Sequence, residues 1–540
     1  MTIPALAGTG ALARLAVRRD RIALPAGVYV IVALVAGTAQ AFSKLYPTAA
    51  GRAALAAAGQ GNPALRFLYG RLYGSSLGSL TTWRYGMWAG LFAALVAIFV
   101  VVRHTRADEE AGRLELAGSA VVGRGAALAA GLLTAVVPNV AIAVLLWIVL
   151  PFAGLPAAGS AALALSVGAC GLAFGGITAV AAQLASTARG ARGIALGALG
   201  VAFVLRGVGD SAGAGGPAWL SWASPLAWIQ FTRPFAAERW WVLALPLAVF
   251  VLGVVLAFLL AARRDLGAGL LPGRPGRPAA SRLLSGPPWL PTLGLAWRLH
   301  RGALAGWLTG YVFTFAASGA AAQGIGQLFG TSTALRHEFT RLGGQAAIVR
   351  AYLAALMLLA GLVAAAYATS TVLRLRGEET GDRAEPLLAT AAGRIRWALS
   401  HIAVAVGGTV LLLAAAGLAA GLGYGLRAGS AGPEVARMLG AAMAQLPASL
   451  ALAAVAVLMF GLFPRAAVPA AWTAVGLAVA IALFGQVLQI SHWVLDVSPF
   501  THVPRLPGGT VTAAPLLWLG LAALAFGVTG LAGLRRRDIG

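Results

Sequence analysis

Charged residues are scarce in this sequence. Only 10% of its 540 residues are Asp, Glu, Lys or Arg, whereas 59% are hydrophobic. A soluble globular domain carries about a quarter charged residues, so that class is excluded and a membrane composition is indicated. Apolar runs of about 20 residues recur, which is the length that a helix needs to cross a bilayer, whereas barrel strands would need only about ten. The sequence therefore predicts an all-α, polytopic membrane protein.

Cysteine and lysine are nearly absent, with one residue of each. Cys170 lies in an apolar run, which excludes a disulfide or a cysteine metal site within the chain and favours inert packing. A P-loop has the pattern GxxxxGK[ST], and Lys44 in AFSKLYP does not fit it. Residues 1–540 therefore hold no Walker A site, and no cofactor or metal is expected in this chain.

Patterns typical of catalysis or ion coupling are weak. HEFTR (337–341) lacks the second His of a zincin, and GSSLG (74–78) matches GxSxG without a strand before it. Both are interpreted as coincidences, so the chain is not expected to be an enzyme. An ion-coupled transporter needs ionisable groups at mid-membrane depth, and Arg206 with Asp210 is expected instead to be a snorkelling pair at the exterior end of a span.

Basic residues outnumber acidic ones, 40 to 16, for a net charge of +24. They are spread over short loops between apolar runs, which favours a role in topology and contact with membrane lipids over binding of nucleic acid. Their bias between alternate loops predicts a protein of the cell membrane with both termini in the cytoplasm.

Twelve candidate spans form two groups of six. The halves are assigned to residues 1–262 and 296–540, with a Pro/Gly/Arg-rich cytoplasmic linker at 263–295. The candidate spans are 24–45, 83–102, 126–151, 161–185, 194–210, 240–262, 303–322, 350–372, 397–424, 440–463, 468–490 and 514–534.

A charged segment follows the second span of each half, and the two segments are similar in sequence. In RHTRADEEAGRLELAGSAVVGR (103–124) and RLRGEETGDRAEPLLATAAGR (374–394), four charged residues match at one offset of 270. Arg106, Arg113, Glu115 and Arg124 correspond to Arg376, Arg383, Glu385 and Arg394. The Glu109, Glu110 pair is aligned with Glu378, Glu379 at 269, which implies one inserted residue. The repeat indicates an internal duplication.

A second pair of similar stretches precedes the last spans of the two halves. WASPLAW (222–228) and DVSPFTH (496–502) both place Ser before Pro, which predicts short helices with a Ser cap and Pro at the first helical position. These helices are expected to dip into the outer leaflet.

These stretches, together with TTWRYGMWAG, LRGVGD and SPLAWIQFTRPF, resemble the membrane subunit of ABC-2-type exporters. The similarity is to the fused twelve-span actinobacterial permeases for polyketide antibiotics and multidrug efflux. It implies an ABC-2, or type V exporter-like, transmembrane domain of two six-helix repeats. It also implies two copies of a separate ABC ATPase subunit, which would bind ATP and Mg in place of this chain.

The resemblance assigns the charged segments to coupling helices that dock on those ATPases. The residues are Glu109, Glu110, Gly112, Arg113, Glu115 and Arg124 in one copy and Glu378, Glu379, Asp382, Arg383, Glu385 and Arg394 in the other. The alternative is a solvated turn that only fixes topology, although Arg alone would serve that purpose and the acidic residues favour docking.

A hydrophobic small-molecule substrate is expected, with alternating access driven by the ATPases. Residues interpreted as candidates for its path between the halves, or as ordinary packing, are Met87, Trp88, Phe203, Tyr352, Tyr367, Gln486 and Gln489. The pairs Gly193/Gly197 and Gly417/Gly421 are GxxxG patterns that permit close helix contact. The alternative functions are export of a lipid or cell-envelope component, and a non-ABC secondary transporter or channel.

Overall fold

A computed structural model describes residues 5–114, 122–212, 216–265, 267–271, 290–330, 344–390, 392–484, 491–510 and 512–537. The chain divides into two compact units. The first comprises Met1–Pro275 with Thr331–Ala334, and the second comprises Gly276–Gly330 with Leu335–Gly540.

The first unit is built from helices whose apolar length matches a bilayer, joined by shorter helices. A π-helical turn, Thr82–Gly86, joins the helices Leu77–Thr81 and Met87–His104. The helices are α1 (Thr9–Arg19), α2 (Ala23–Leu45), α3 (Ala49–Gly61), α4 (Pro63–Tyr69), α5 (Leu77–Thr81), α6 (Met87–His104), α7 (Arg106–Glu110), α8 (Ala126–Phe152), α9 (Ala157–Leu184), α10 (Ala188–Ser211), α11 (Pro225–Phe231) and α12 (Ala244–Ala262).

The second unit has the same alternation of long apolar helices and short connecting ones. Its helices are α13 (Leu290–Gly330), α14 (Gly344–Glu379), α15 (Ala384–Leu388), α16 (Arg394–Ala428), α17 (Ala431–Met443), α18 (Leu446–Leu462), α19 (Ala467–Phe484), α20 (His492–Leu495) and α21 (Ala513–Arg536).

Ten helices within the described ranges are long and apolar enough to cross a membrane. This confirms the prediction of a polytopic helical protein. The two other predicted spans, 303–322 and 468–490, fall on α13 and α19, which are helical but are not among the ten. Residues 485–490 of the latter lie outside the described residues. The number twelve therefore stays a prediction.

Close helix crossings at glycine pairs organise both units. The central helix of the first unit, α9, packs against α6, α8 and α12. A Cβ on Gly253 would meet the backbone of Gly176, so α9 and α12 touch at their main chains. In the second unit, α18 and α21 cross in the same manner at Gly461 and Gly530. Only glycine permits these two approaches, because any larger residue would push the helices apart.

One of the two predicted GxxxG contacts is wrong. Gly193 and Gly197 have open space where a Cβ would stand, so no helix of the described residues packs closely on α10 there. Gly417 and Gly421 do lie against the backbone of α17, at Leu439 and Val435. A sequence pattern permits close packing but does not supply the neighbouring helix.

The linker boundary also shifts. The described part of helix α13 starts at Leu290, so residues 290–295 of the stretch assigned to an irregular linker are helical. Residues 272–289 of that linker lie outside the described residues.

The short helices after each Ser-Pro are confirmed, but their Ser caps are wrong. Pro225 opens α11 and Pro499 opens a 3-10 turn that ends at His502, and neither preceding serine caps its helix. The Ser224 hydroxyl donates instead to the carbonyl of Ala202 in α10, at 2.7 Å. All residues of α11 are buried within the unit.

Candidate functional site: two arginine and glutamate clamps

A buried carboxylate at the end of α7 holds three parts of the first unit together. Glu109 accepts a hydrogen bond from Arg106 Nη1 at 2.9 Å, one turn earlier on the same helix. Arg264, just after α12, donates to both Glu109 oxygens at 2.6 and 2.9 Å, in the two-pronged geometry that suits guanidinium and carboxylate. The backbone N–H of Gly267 adds a fourth bond at 2.7 Å. The Glu109 side chain is only 5% exposed.

The second unit repeats this arrangement. Glu379 accepts from Arg376 Nη1 at 3.0 Å, again three residues earlier. Arg537, just after α21, lies 3.0 Å from each Glu379 oxygen. The Glu379 side chain is also 5% exposed. Each unit therefore joins the end of its second predicted span to the end of its last one through a buried glutamate.

A further arginine completes both arrangements. Arg124, just before α8, donates to the backbone carbonyl of Arg264 at 3.0 Å. Arg394, the first residue of α16, donates to the carbonyl of Arg537 at 2.8 Å. We call Arg106, Glu109, Arg124 and Arg264 the first clamp, and Arg376, Glu379, Arg394 and Arg537 the second clamp.

The clamps correct the sequence alignment of the repeat. Glu109 and Glu379 have the same partners at an offset of 270, which is the offset of the other matched charges. Gly112 and Asp382, also 270 apart, both adopt a positive φ, of 70° and 54°, in the turn that follows. The inserted residue inferred from the sequence is therefore wrong. The sequence could have indicated this alignment, because it places Asp108 opposite Glu378, two acidic residues that differ only in side-chain length.

The residue before each clamp glutamate anchors a different neighbour. Asp108 binds Arg19 of α1 at 3.1 Å and Arg113 at 2.7 Å. Glu378 binds Arg374 at 3.0 Å and lies 3.5 Å from His401 Nε2 in α16. Both acids are buried, so these contacts fix the ends of α7 and α14 within their own units.

The predicted coupling residues thus separate into buried and exposed groups. Glu109, Glu378 and Glu379 point inward, whereas Arg124 and Arg394 are exposed and donate to backbone carbonyls. The buried location of the three glutamates does not suit direct docking on a partner.

The remaining predicted residues form the exposed tip of each charged segment. In the first unit, Glu110 accepts from the N–H of Ala188 at 2.8 Å, at the start of α10, and half of the Arg113 side chain is exposed. Asp382, Arg383 and Glu385 are exposed in the second unit. We call Glu110, Gly112 and Arg113 the first tip, and Asp382, Arg383 and Glu385 the second tip. Glu115 lies outside the described residues.

The proposed path residues pack in the cores of the two units. Met87 is fully buried, and Trp88 contacts Phe203 with ring centroids 6.1 Å apart. In the second unit, Tyr367 is buried and Tyr352 donates to the carbonyl of Ser318 at 3.2 Å. Gln486 and Gln489 lie outside the described residues. These contacts favour ordinary packing for the described residues, and a transport role for them stays a prediction.

A buried ionic network near the end of α10 was missed by sequence reasoning. Arg206 and Asp210 are both fully buried, with their charged atoms 3.6 Å apart. Asp210 also accepts from Ser221 at 2.8 Å and lies 3.5 Å from Arg71, while Arg206 donates to the carbonyl of Phe67. The snorkelling interpretation is therefore wrong, because the segment before α5 covers the pair. The sequence signal that could have indicated a buried pair was the excess of arginine in the segment before α5.

The serine of GSSLG has a structural role. Ser76 stands just before α5, and its side chain accepts from the N–H of Ser79 at 3.1 Å. This is an ordinary helix cap. HEFTR lies outside the described residues.

The fold and these paired clamps define a multi-pass helical membrane protein with an internally repeated charged segment. The chain is 44% identical to the multidrug efflux system permease protein Rv1217c of Mycobacterium tuberculosis (strain ATCC 25618 / H37Rv), over 533 residues that are 98% of this chain and 95% of that protein. A family model described as the C-terminal domain of the multidrug efflux system permease Rv1217c matches residues 291–535. The chain therefore belongs to this family of multidrug efflux permeases, as the sequence resemblance predicted. It is accordingly a permease, a transport component of the membrane.

Proposed function

We propose that this chain is the membrane subunit of an ATP-driven ABC exporter that expels hydrophobic antibiotics or drugs. The cargo class follows the name of its relative, which describes a multidrug efflux system permease. Two ATPase subunits would be separate polypeptides that bind ATP and Mg, since the one lysine of residues 1–540 is not in a Walker A pattern. Both termini, and with them the two tips, would face the cytoplasm of the cell.

The double clamp is the observation that carries this proposal. In the first unit it connects three helix ends, of α7, α8 and α12, and in the second it connects those of α14, α16 and α21. A force applied at a tip would therefore move the helices that the clamp joins as one body. A turn that merely sets topology needs no such connection, because positive charge in the loop suffices.

In this mechanism each ATPase subunit would contact one exposed tip. ATP-driven closure of the ATPase pair would displace the tips, and the clamps would transmit the displacement to the long helices. Alternating access follows if the two units respond together. The tips differ in charge, with one acid beside Arg113 in the described part of the first and two acids beside Arg383 in the second.

Site-directed crosslinking tests the docking. The only native cysteine, Cys170, is buried, so a thiol introduced at an exposed site is the reactive one. Arg113→Cys and Arg383→Cys, each labelled with a photoreactive maleimide in native membranes, should crosslink a polypeptide that contains Walker motifs. Arg437→Cys, on an exposed arginine of α17 that pairs with Glu434, is the matched control. Equal crosslinking from the control, or none from either tip, would contradict the docking.

Charge reversal then tests coupling. Glu110→Lys with Arg113→Glu should abolish drug-stimulated ATP hydrolysis by the reconstituted complex, because both side chains lie on the first tip. Glu434→Lys with Arg437→Glu, which reverses another pair at close sequence spacing, should leave it unchanged. Both proteins should elute as single species in size-exclusion chromatography. Retained stimulation in the tip variant would mean that these charges serve topology only.

The same assay separates the possible cargoes. Hydrophobic antibiotics should raise the ATPase rate of the wild-type complex. Stimulation by lipids of the cell envelope, with no response to antibiotics, would replace drug export by lipid export.

A further inference from the structure

A basic pocket lies at the start of α16 in the second unit. It is open to the surface with a volume of about 620 Å³, and three of its six lining residues are arginines. None of the described residues that line it is acidic. The lining residues are Gly393, Arg394, Ile395, Arg396, Leu399 and Arg535.

The lining of the pocket combines basic and apolar groups. Gly393 provides no side-chain cap for α16, so the positive end of a 35-residue helix lies beside the arginines and favours an anion. Arg394 is held in place by its bond to the Arg537 carbonyl. The pocket is also lined by Leu399, which is 46% exposed and stands one helical turn beyond Ile395. The site therefore offers both positive charge and apolar surface.

The internal repeat shows that two of the three arginines are not needed for the clamp. The equivalence of Arg394 with Arg124 places Ala126 where the second unit has Arg396. The equivalence of Arg537 with Arg264 likewise places Ala262 opposite Arg535. The first unit thus builds its clamp without these charges, and the second adds them beside an exposed leucine.

We propose that this pocket binds an anionic phospholipid, with its phosphate on Arg394, Arg396 and Arg535 and an acyl chain along Ile395 and Leu399. Arginines at the ends of membrane helices are the usual partners of anionic headgroups. The apolar wall distinguishes a lipid from a free phosphate, which would gain nothing from Leu399. In the orientation proposed above, the lipid belongs to the cytoplasmic leaflet. Binding itself does not depend on the transported cargo or on the ATPase.

Native mass spectrometry of the delipidated full-length protein in detergent tests this proposal. Dioleoylphosphatidylglycerol should bind more tightly than dioleoylphosphatidylcholine, which has the same acyl chains and no net charge. Arg396→Gln with Arg535→Gln should weaken phosphatidylglycerol binding about thirtyfold, since two arginines near a lipid phosphate contribute about 2 kcal/mol. Arg535→Gln alone, at an exposed helix end, should give a smaller loss and serves if the double variant does not fold.

Arg14→Gln with Arg18→Gln removes the same charge from exposed positions of α1 and is the matched control. Binding within about twofold of wild type is expected for it. An equal loss in this control would mean that bulk charge attracts the lipid, and the pocket would be rejected. Displacement of the lipid by millimolar inorganic phosphate would identify a phosphate site without lipid specificity. Displacement by the purified ATPase subunit would make the pocket a protein contact, and either result overturns the proposal.

Discussion

Replacing Glu109 by glutamine removes the charge at the centre of the first clamp. Arg106 and Arg264 have side chains that are 1% and 11% exposed, so both guanidinium groups would stay buried without a counter-charge. The side-chain amide N–H group of the introduced glutamine would also face the N–H donors of the arginines. Breaking a buried ion pair by removing one partner costs about 3–5 kcal/mol. With about 2–4 °C for each kcal/mol in domains of 150–250 residues, the apparent Tm should fall by about 6 °C or more.

Tryptophan fluorescence of the detergent-purified protein during a thermal scan at fixed rate measures this shift. Glu110→Gln is the control, because the neighbouring acid is exposed and its described contact is one bond, to Ala188. That variant should stay within about 2 °C of wild type. Glu379→Gln should lower the apparent Tm in the same direction in the second unit, since two arginines also contact its buried carboxylate.

A double-mutant cycle distinguishes the ion pair from a general loss of packing. Combining Glu109→Gln with Arg264→Gln should destabilise less than the sum of the two single changes, because the orphaned charge is removed together with its partner. Strict additivity, or a Glu109→Gln variant as stable as Glu110→Gln, would refute the clamp as a unit that holds the helix ends together.

Two further outcomes follow from the packing of the first unit. Asp210→Asn should lower the apparent Tm by a similar margin and make residues before α5 sensitive to protease, because it leaves the fully buried Arg206 without its nearest carboxylate; unchanged proteolysis would contradict this. Gly176→Val should abolish the monodisperse peak in size-exclusion chromatography, since its Cβ would meet the backbone of α12, whereas Gly193→Val, in open space on α10, should leave the peak unchanged. Equal behaviour of the two variants would refute the crossing.

Local sequence was sufficient to predict the class of protein and its long apolar helices, and to detect the repeated charged segment. Helical spans follow from apolar length alone, because a bilayer leaves every backbone group to be satisfied within its own helix. The duplicated charged segment could likewise be found by eye, since charges are rare elsewhere. These features depend on residues that are close in sequence. The predicted spans 126–151, 161–185 and 240–262 accordingly agree closely with α8, α9 and α12.

What the charges do was decided only by tertiary structure. The distant partners of Glu109 and Glu379, Arg264 and Arg537, are 155 and 158 residues away, after the ends of helices whose meeting no local pattern encodes. Glu109 and Glu379, which the sequence analysis assigned to docking, are therefore buried and connect helix ends within their own units. Exposed residues that follow them in the sequence form the tips. The same reason explains Arg206 and Asp210: an ion pair at a helix end belongs to the surface or the interior according to which distant segment covers it.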